Sequence, residues 1–228
     1  MKAIVLLSGG LDSAVILARV CAEAKSCTAI SFDYGQRHRI ELEYAKKIAD
    51  YYQVPHEIIP IDPLIFQGAS SLTSNMVPQK DKSFEEILLQ KTPSTYVPAR
   101  NTLFLAFALV KAEIYQAQEI YFGANAMDYG SYPDCRPLYF EALQELFNQA
   151  TKQSIDYQPP RVIIPWLHST KEQIIQEGIR LGVPFEYTSS CYDPTLSGHP
   201  CQCCDACTLR NKAFKSFTES KQERLAES

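Results

Sequence analysis

Ala3-Ile4-Val5-Leu6-Leu7-Ser8-Gly9-Gly10-Leu11-Asp12-Ser13 is the stretch on which the fold turns. Five apolar residues in a row suit a strand buried on both faces, as in a parallel sheet. The glycines end that strand, and helical periodicity over about residues 12–24 follows. A helix N-terminus leaves N–H groups without intrahelical acceptors, so this junction is a ready anion site. Gly9 and Gly10 let the backbone approach a phosphate closely. Ser8 and Ser13 add hydroxyl donors. Asp12 would repel a bare phosphate, and its carboxylate makes sense as a ligand of Mg²⁺ or of Mg²⁺-bound water. The loop lacks the Gly-Lys-Ser/Thr ending of a Walker loop, which argues against ordinary cleavage at a terminal phosphate. Ser8, Gly9, Gly10, Leu11, Asp12 and Ser13 are therefore read as the phosphate-binding loop for ATP. A plain strand-to-helix turn is the simpler alternative, and two glycines alone would not exclude it.

Outward from this loop the pattern repeats. Strands are predicted at 27–32, 56–61, 119–122 and 161–164. Helices are predicted at 40–53, 83–90, 138–151 and 206–218, and at 102–116 with Asn101 as cap. One further helix opens on a capping box of Ser169 and Glu172 and ends at Gly182, with Pro184 beyond. Residues 62–98 are polar, contain Pro63, Pro78, Pro93 and Pro98, and read as a long functional excursion. The charged tail 219–228 is expected to fray. Strands alternating with helices imply an α/β fold: a parallel five-stranded sheet with helices on both faces. Ligands of such sheets sit at the carboxyl ends of the strands. The loops 8–13, 33–38, 123–137 and 165–171 all lie there. Residues 1–185 form the ATP-binding and catalytic domain in this reading, and 186–228 a metal-binding segment with a C-terminal helix and tail.

The chain has 228 residues, 46% of them hydrophobic, enough for a large core without disulfides. A net charge of −4 suggests no broad grip on nucleic acid. The apolar opening is too short for a secretory segment, and no run reaches the length of a membrane span. A cytoplasmic location follows, where disulfides are rare. Eight cysteines then need another explanation, and five fall within residues 191–207.

Cys191, Cys201, Cys204 and Cys207 are spaced C-x9-C-x2-C-x2-C. Four thiolates in tetrahedral array fit one structural Zn²⁺ per chain. Cys203 competes with Cys204, which is preferred because two even steps then lead to Cys207. An iron–sulfur cluster or redox cysteines remain alternatives on spacing alone. Cys21 and Cys27 read as core or near-core residues, and Cys135 as a non-nucleophile in a substrate loop.

The string SGGLDS resembles the PP-loop of the N-type ATP pyrophosphatases. That resemblance implies a Rossmann-like sheet and cleavage of ATP to AMP and pyrophosphate. Three more strings are dense in unusual chemistry: Phe32-Asp33-Tyr34-Gly35-Gln36-Arg37-His38, Tyr96-Val97-Pro98-Ala99-Arg100-Asn101, and Gly123 to Pro137, containing Tyr132-Pro133-Asp134-Cys135-Arg136-Pro137. With the cysteines, they resemble the 7-cyano-7-deazaguanine synthase family of the queuosine pathway, from Met1 to about Phe217. Gly130-Ser131, where serine then glycine is usual, and Cys203 depart from the family pattern.

The resemblance implies an ATP-dependent ligase acting on 7-carboxy-7-deazaguanine and ammonia, through adenylated acid and amide intermediates, to give the nitrile. It also implies Zn²⁺ on the four cysteines, Mg²⁺ with ATP, and a homodimer. Physical roles can be set beside it. Asp134 could accept the adjacent N–H donors of a guanine-like edge, or pair with Arg136 to hold its own loop. Arg136 or Arg100 could bind the substrate carboxylate, and Tyr132 could stack on the base. Asp12, Ser13 and Lys171 are the catalytic candidates, with Lys171 in reach of phosphate charge. His38 and His168 are proton handlers or polar loop residues, and Trp166 is packing. A tRNA-thiolating PP-loop enzyme and a non-catalytic nucleotide-sensing zinc module are the rival functions. Acidic net charge opposes the first, and the dense polar strings after the strands oppose the second.

Overall fold

The computed structural model describes residues 1–128, 131–156, 158–195 and 197–226, with the side chains of 220–226 outside that description. The Gly130 of the unusual Gly-Ser pair thus lies outside the described residues. Five strands form one sheet: β1 (Lys2–Leu6), β2 (Ser26–Asp33), β3 (His56–Pro60), β4 (Glu119–Tyr121) and β5 (Arg161–Ile163). Their order is β3-β2-β1-β4-β5, and every pairing is parallel. The helices are α1 (Leu11–Ala22), α2 (Glu41–Tyr51), α3 (Phe84–Leu89), α4 (Arg100–Tyr115), α5 (Pro137–Ala150), α6 (Lys152–Asp156), α7 (Lys171–Arg180) and α8 (Asp205–Ala226).

The apolar run of β1 is the centre of the molecule. Ala3, Val5 and Leu7 pack into a core shared with α1, α2 and α7. Ile4 and Leu6 face the other way, into a core with α4 and α5. A strand alternates its side chains between faces, so a strand buried on both must be apolar throughout. Strand order reverses at β1, which places the α/β ligand crevice between the loops after β1 and β4.

The edges of most predicted elements fall within a residue or two of the sequence reading; the short helix α6 was not predicted, and four further features differ. Asn101 does not cap α4. The helix starts at Arg100, and its N-cap is Ala99 in a left-handed conformation (φ 52°) with no side-chain cap. The cap of α7 is Thr170, paired with Gln173, one residue later than expected. Ser169 is spent in the preceding turn, its N–H donating to Trp166 O at 2.9 Å. Helix α8 runs on to Ala226 through most of the tail expected to fray, with Lys215 and Glu219 paired at helical spacing. The excursion over residues 62–98 is built into the body. Phe66, Leu72 and Val97 are core residues, and Asp81 N donates to Cys203 O at 2.8 Å. Among the described residues, no helix is long and apolar enough to cross a membrane.

Candidate active site

The loop after β1 is shaped by a close approach. Gly9 has φ +80°, and a Cβ there would lie 2.3 Å from Glu41 O and 2.8 Å from Ala45 N. Helix α2 leaves room for glycine only. The two serine hydroxyls brace the turn: Ser8 N donates to Ser13 Oγ (3.2 Å), Ser13 Oγ to Gly10 O (3.1 Å), and Gly10 N to Ser8 Oγ (3.2 Å). The first-turn amides of α1, on Leu11, Asp12 and Ser13, have no intrahelical acceptor. Ser8, Gly10, Leu11, Asp12 and Ser13 line one cavity of about 280 Å³. This is what anion binding by a strand–helix junction needs.

Asp12 sits at the hub. Its Oδ2 accepts from Lys171 Nζ and from Asn125 Nδ2 (3.2 Å), and its backbone oxygen accepts from Trp166 Nε1 at 3.2 Å. Trp166 is thus packing that also aims Asp12. Asp12 Oδ1 is buried with no partner among the described residues, and a buried carboxylate oxygen lacking a donor fits a cation ligand. Burial alone would lower the pKa of Lys171, but the carboxylates of Asp12 and Asp128 outweigh it and hold it above the ordinary lysine value. Asp128 lines the same cavity. Burial raises its pKa to about 6; Lys171 opposes that shift and Asp12 adds to it.

Arg100, from the first turn of α4, also lines the cavity. Its Nη1 donates to Tyr34 OH at 3.4 Å, while Nε is buried with no partner among the described residues. Tyr132 also lines the cavity and shares a 2.9 Å hydrogen bond with Thr95 Oγ1. His38 reaches the cavity as well; its Nε2 lies 3.3 Å from Glu41 Oε2, and its Nδ1 is buried without a partner among the described residues. Asp134 and Arg136 are not brought to the cavity wall. Asp134 is buried behind it, where its Oδ2 accepts from Asn101 N at 3.2 Å, an orphan amide of the first turn of α4. Arg136 is exposed, at the N-cap of α5. Cys135 is buried and accepts from Asn101 Nδ2 at 3.3 Å, and burial pushes its thiol well above the ordinary value, which suits a packed thiol.

The sulfurs of Cys191, Cys201, Cys204 and Cys207 lie within 4.8 Å of one another. A tetrahedral thiolate site with Zn–S of about 2.3 Å would hold its sulfurs about 3.8 Å apart, so the cluster fits a closed four-sulfur metal site. Cys203 stands outside the cluster. Residues on both sides of position 185 line the cavity, Ser189, Ser190 and Arg210 among them.

The family model for queuosine biosynthesis protein QueC matches residues 2–218. The chain belongs to the QueC family. It is 48% identical over 219 residues to the 7-cyano-7-deazaguanine synthase of Trichodesmium erythraeum, covering 95% of this chain and 97% of that one. To the 7-cyano-7-deazaguanine synthase of Saccharophagus degradans it is 45% identical over 226 residues, covering 99% and 98%.

Within this QueC chain, three cavity residues, Asp128, Tyr192 and Arg210, and one residue that bonds to the cavity's Asp12, Asn125, escaped individual assignment from sequence. Asn125 and Asp128 sit in the polar string after β4, where Asn125 Oδ1 takes Met127 N and Asp128 Oδ2 takes Asn125 N in a reciprocal cap. An Asn-x-x-Asp spacing was a usable local signal for that turn. Tyr192 directly follows Cys191 and Arg210 stands three residues after Cys207, but no local pattern marks either as part of the cavity.

Proposed function

We propose that this chain is a 7-cyano-7-deazaguanine synthase, converting 7-carboxy-7-deazaguanine and ammonia to the nitrile at the expense of two ATP. The observation that carries this reading is near-full-length identity of 48% to a relative of that name. The cavity supports it by joining an anion-binding helix terminus to Arg100, a partly unsatisfied guanidinium suited to a carboxylate.

The chemistry follows from leaving groups. A carboxylate oxygen departs poorly, so it first attacks the α-phosphorus of ATP and pyrophosphate leaves. Ammonia adds to the acyl carbon, AMP departs, and the amide remains after loss of a proton. The amide oxygen attacks a second ATP; departure of AMP and loss of the two nitrogen protons give the nitrile. In this reading the amides of Leu11, Asp12 and Ser13 hold phosphate oxygens, Lys171 offsets charge developing there, and Arg100 and Tyr132 orient the acid. Asp134 acts through the α4 terminus that carries Arg100, and Arg136 through its loop. Asp12 would hold Mg²⁺, which supplies charge neutralisation at the phosphates. Zn²⁺, one per chain, is the metal proposed for the four cysteines, and its role is structural. Residues 1–185 serve as the catalytic unit, and 186–228 as a zinc-holding segment that closes the same cavity. The family resemblance also points to a cytoplasmic homodimer without nucleic-acid or membrane partners.

The test is release of AMP and pyrophosphate with the acid and ammonium, with the product mass read alongside. Synthetic 7-amido-7-deazaguanine should give the nitrile without ammonia. ADP and phosphate as products, or an inert amide, would overturn the reading.

A further inference from the structure

Arg210 belongs to α8, three residues beyond Cys207 and so on nearly the same helix face. Its Nη2 is fully committed, donating to Phe185 O (3.1 Å) and Thr188 Oγ1 (2.8 Å). The guanidinium stands over the Phe214 ring at 5.2 Å, which fixes its plane. Its Nη1 is buried and has no partner among the described residues, although the side chain lines the cavity. A buried guanidinium N–H without an acceptor is costly, and an anion in the cavity would relieve it.

The anion in question can be placed by following the chain. Thr188 holds Arg210, and the next residue, Ser189, donates its N–H to Gly9 O at 2.9 Å. Ser189 O and Ser190 Oγ each lie 3.7 Å from the Cβ position of Gly10. Arg210 is therefore built against the phosphate loop, whereas Arg100 bonds to Tyr34.

We propose that Arg210 binds the pyrophosphate end of ATP, facing the first-turn amides of α1 across the phosphates. The inference rests on the ATP reading above. When the substrate oxygen bonds to the α-phosphorus, the bond from that phosphorus to the bridging oxygen breaks and its electron pair leaves with pyrophosphate. Arg210 donates to that departing group. A planar fork with one arm tethered suits this role better than a mobile ammonium.

The experiment is calorimetric titration of the zinc-loaded full chain with magnesium pyrophosphate and, separately, with AMP. R210M should weaken pyrophosphate by about 10- to 100-fold, leave AMP affinity unchanged, and retain its metal. The inhibition constant of pyrophosphate as product should rise in step. If R210M does not fold, R210Q, which keeps polarity without charge, carries the same expectation. Wild-type pyrophosphate affinity in the variant that folds, or an equal loss for AMP, overturns the assignment. A wild-type chain that binds neither ATP nor pyrophosphate would overturn the functional reading itself, and this inference with it.

Discussion

Lys171 Nζ donates to Asp12 Oδ2, joining the first turn of α7 to the first turn of α1 across 159 residues of sequence. A cation at a helix N-terminus is opposed by the dipole of its own helix. Here the carboxylates of Asp12 and Asp128 favour the charged form, holding Lys171 above the ordinary lysine value although burial lowers it. Asp12 is thereby held between a lysine, an amide and an indole N–H, with one oxygen left to bind a cation.

Asp12→Ala should fold and lose activity by about 10²- to 10³-fold, the size of effect seen when one preorganised electrostatic group is removed. Lys171→Ala should slow the acid-to-amide and amide-to-nitrile steps alike, because each builds charge at a phosphate. AMP release from the acid and from the amide, measured separately, checks both variants. A variant that slows one step alone would show that Lys171 does not serve the shared phosphate site.

Asp128→Asn should be more stable than the wild type at neutral pH and less active. The pKa of Asp128 rises from 3.8 to about 6 in the folded chain, chiefly through burial. A raised carboxyl pKa means the folded state binds the proton more tightly. Its contribution to stability is complete below the unfolded value and is lost as pH rises through 6. The asparagine variant cannot ionise, so its advantage should be on the order of 1–3 kcal/mol at pH 7 and vanish below about pH 4. Urea unfolding of the ligand-free chain across that range is the measurement; a gap independent of pH would rule out titration of Asp128 as its source.

Asp134→Ala should cost about 1 kcal/mol of stability, as for the loss of a helix cap, because Asn101 N loses its acceptor. Its effect on the KM for the acid should be smaller than that of Arg100→Met, since Asp134 acts through α4. Steady-state kinetics of the two variants side by side decide the matter. A larger KM effect at Asp134 would restore it as the residue that reads the base.

Cys207→Ser should lose zinc and aggregate, since metal binding in such sites is coupled to folding. Cys203→Ser should keep both metal and activity, as its side chain lies outside the cluster. Metal analysis of the purified variants gives the answer, and a stable, metal-free, active Cys207→Ser protein would refute the assignment.

The sequence by itself determined the strands, the sheet class, the glycine turn between β1 and α1, and the cysteine set. Each rests on local chemistry: a short unbroken apolar run closed by a glycine turn suits a strand buried on both faces, two glycines permit the turn, and two C-x2-C steps let thiolates meet. It could not determine which charged residues face the cavity. The one-residue shift of the α7 cap from Ser169 to Thr170 changes how every side chain of that first turn is directed, by about 100° per residue. Asp134 looked like a base reader from its neighbours; in the fold its Oδ2 accepts from the orphan amide of Asn101, while its Oδ1 is buried with no partner among the described residues. Arg210 carries no local mark at all; it reaches the phosphate loop only because α8 packs on α7 and Thr188 and Phe185 hold its guanidinium. Contacts between residues so far apart in the chain leave no periodic trace, because packing of whole elements, and not any local propensity, decides where those side chains converge.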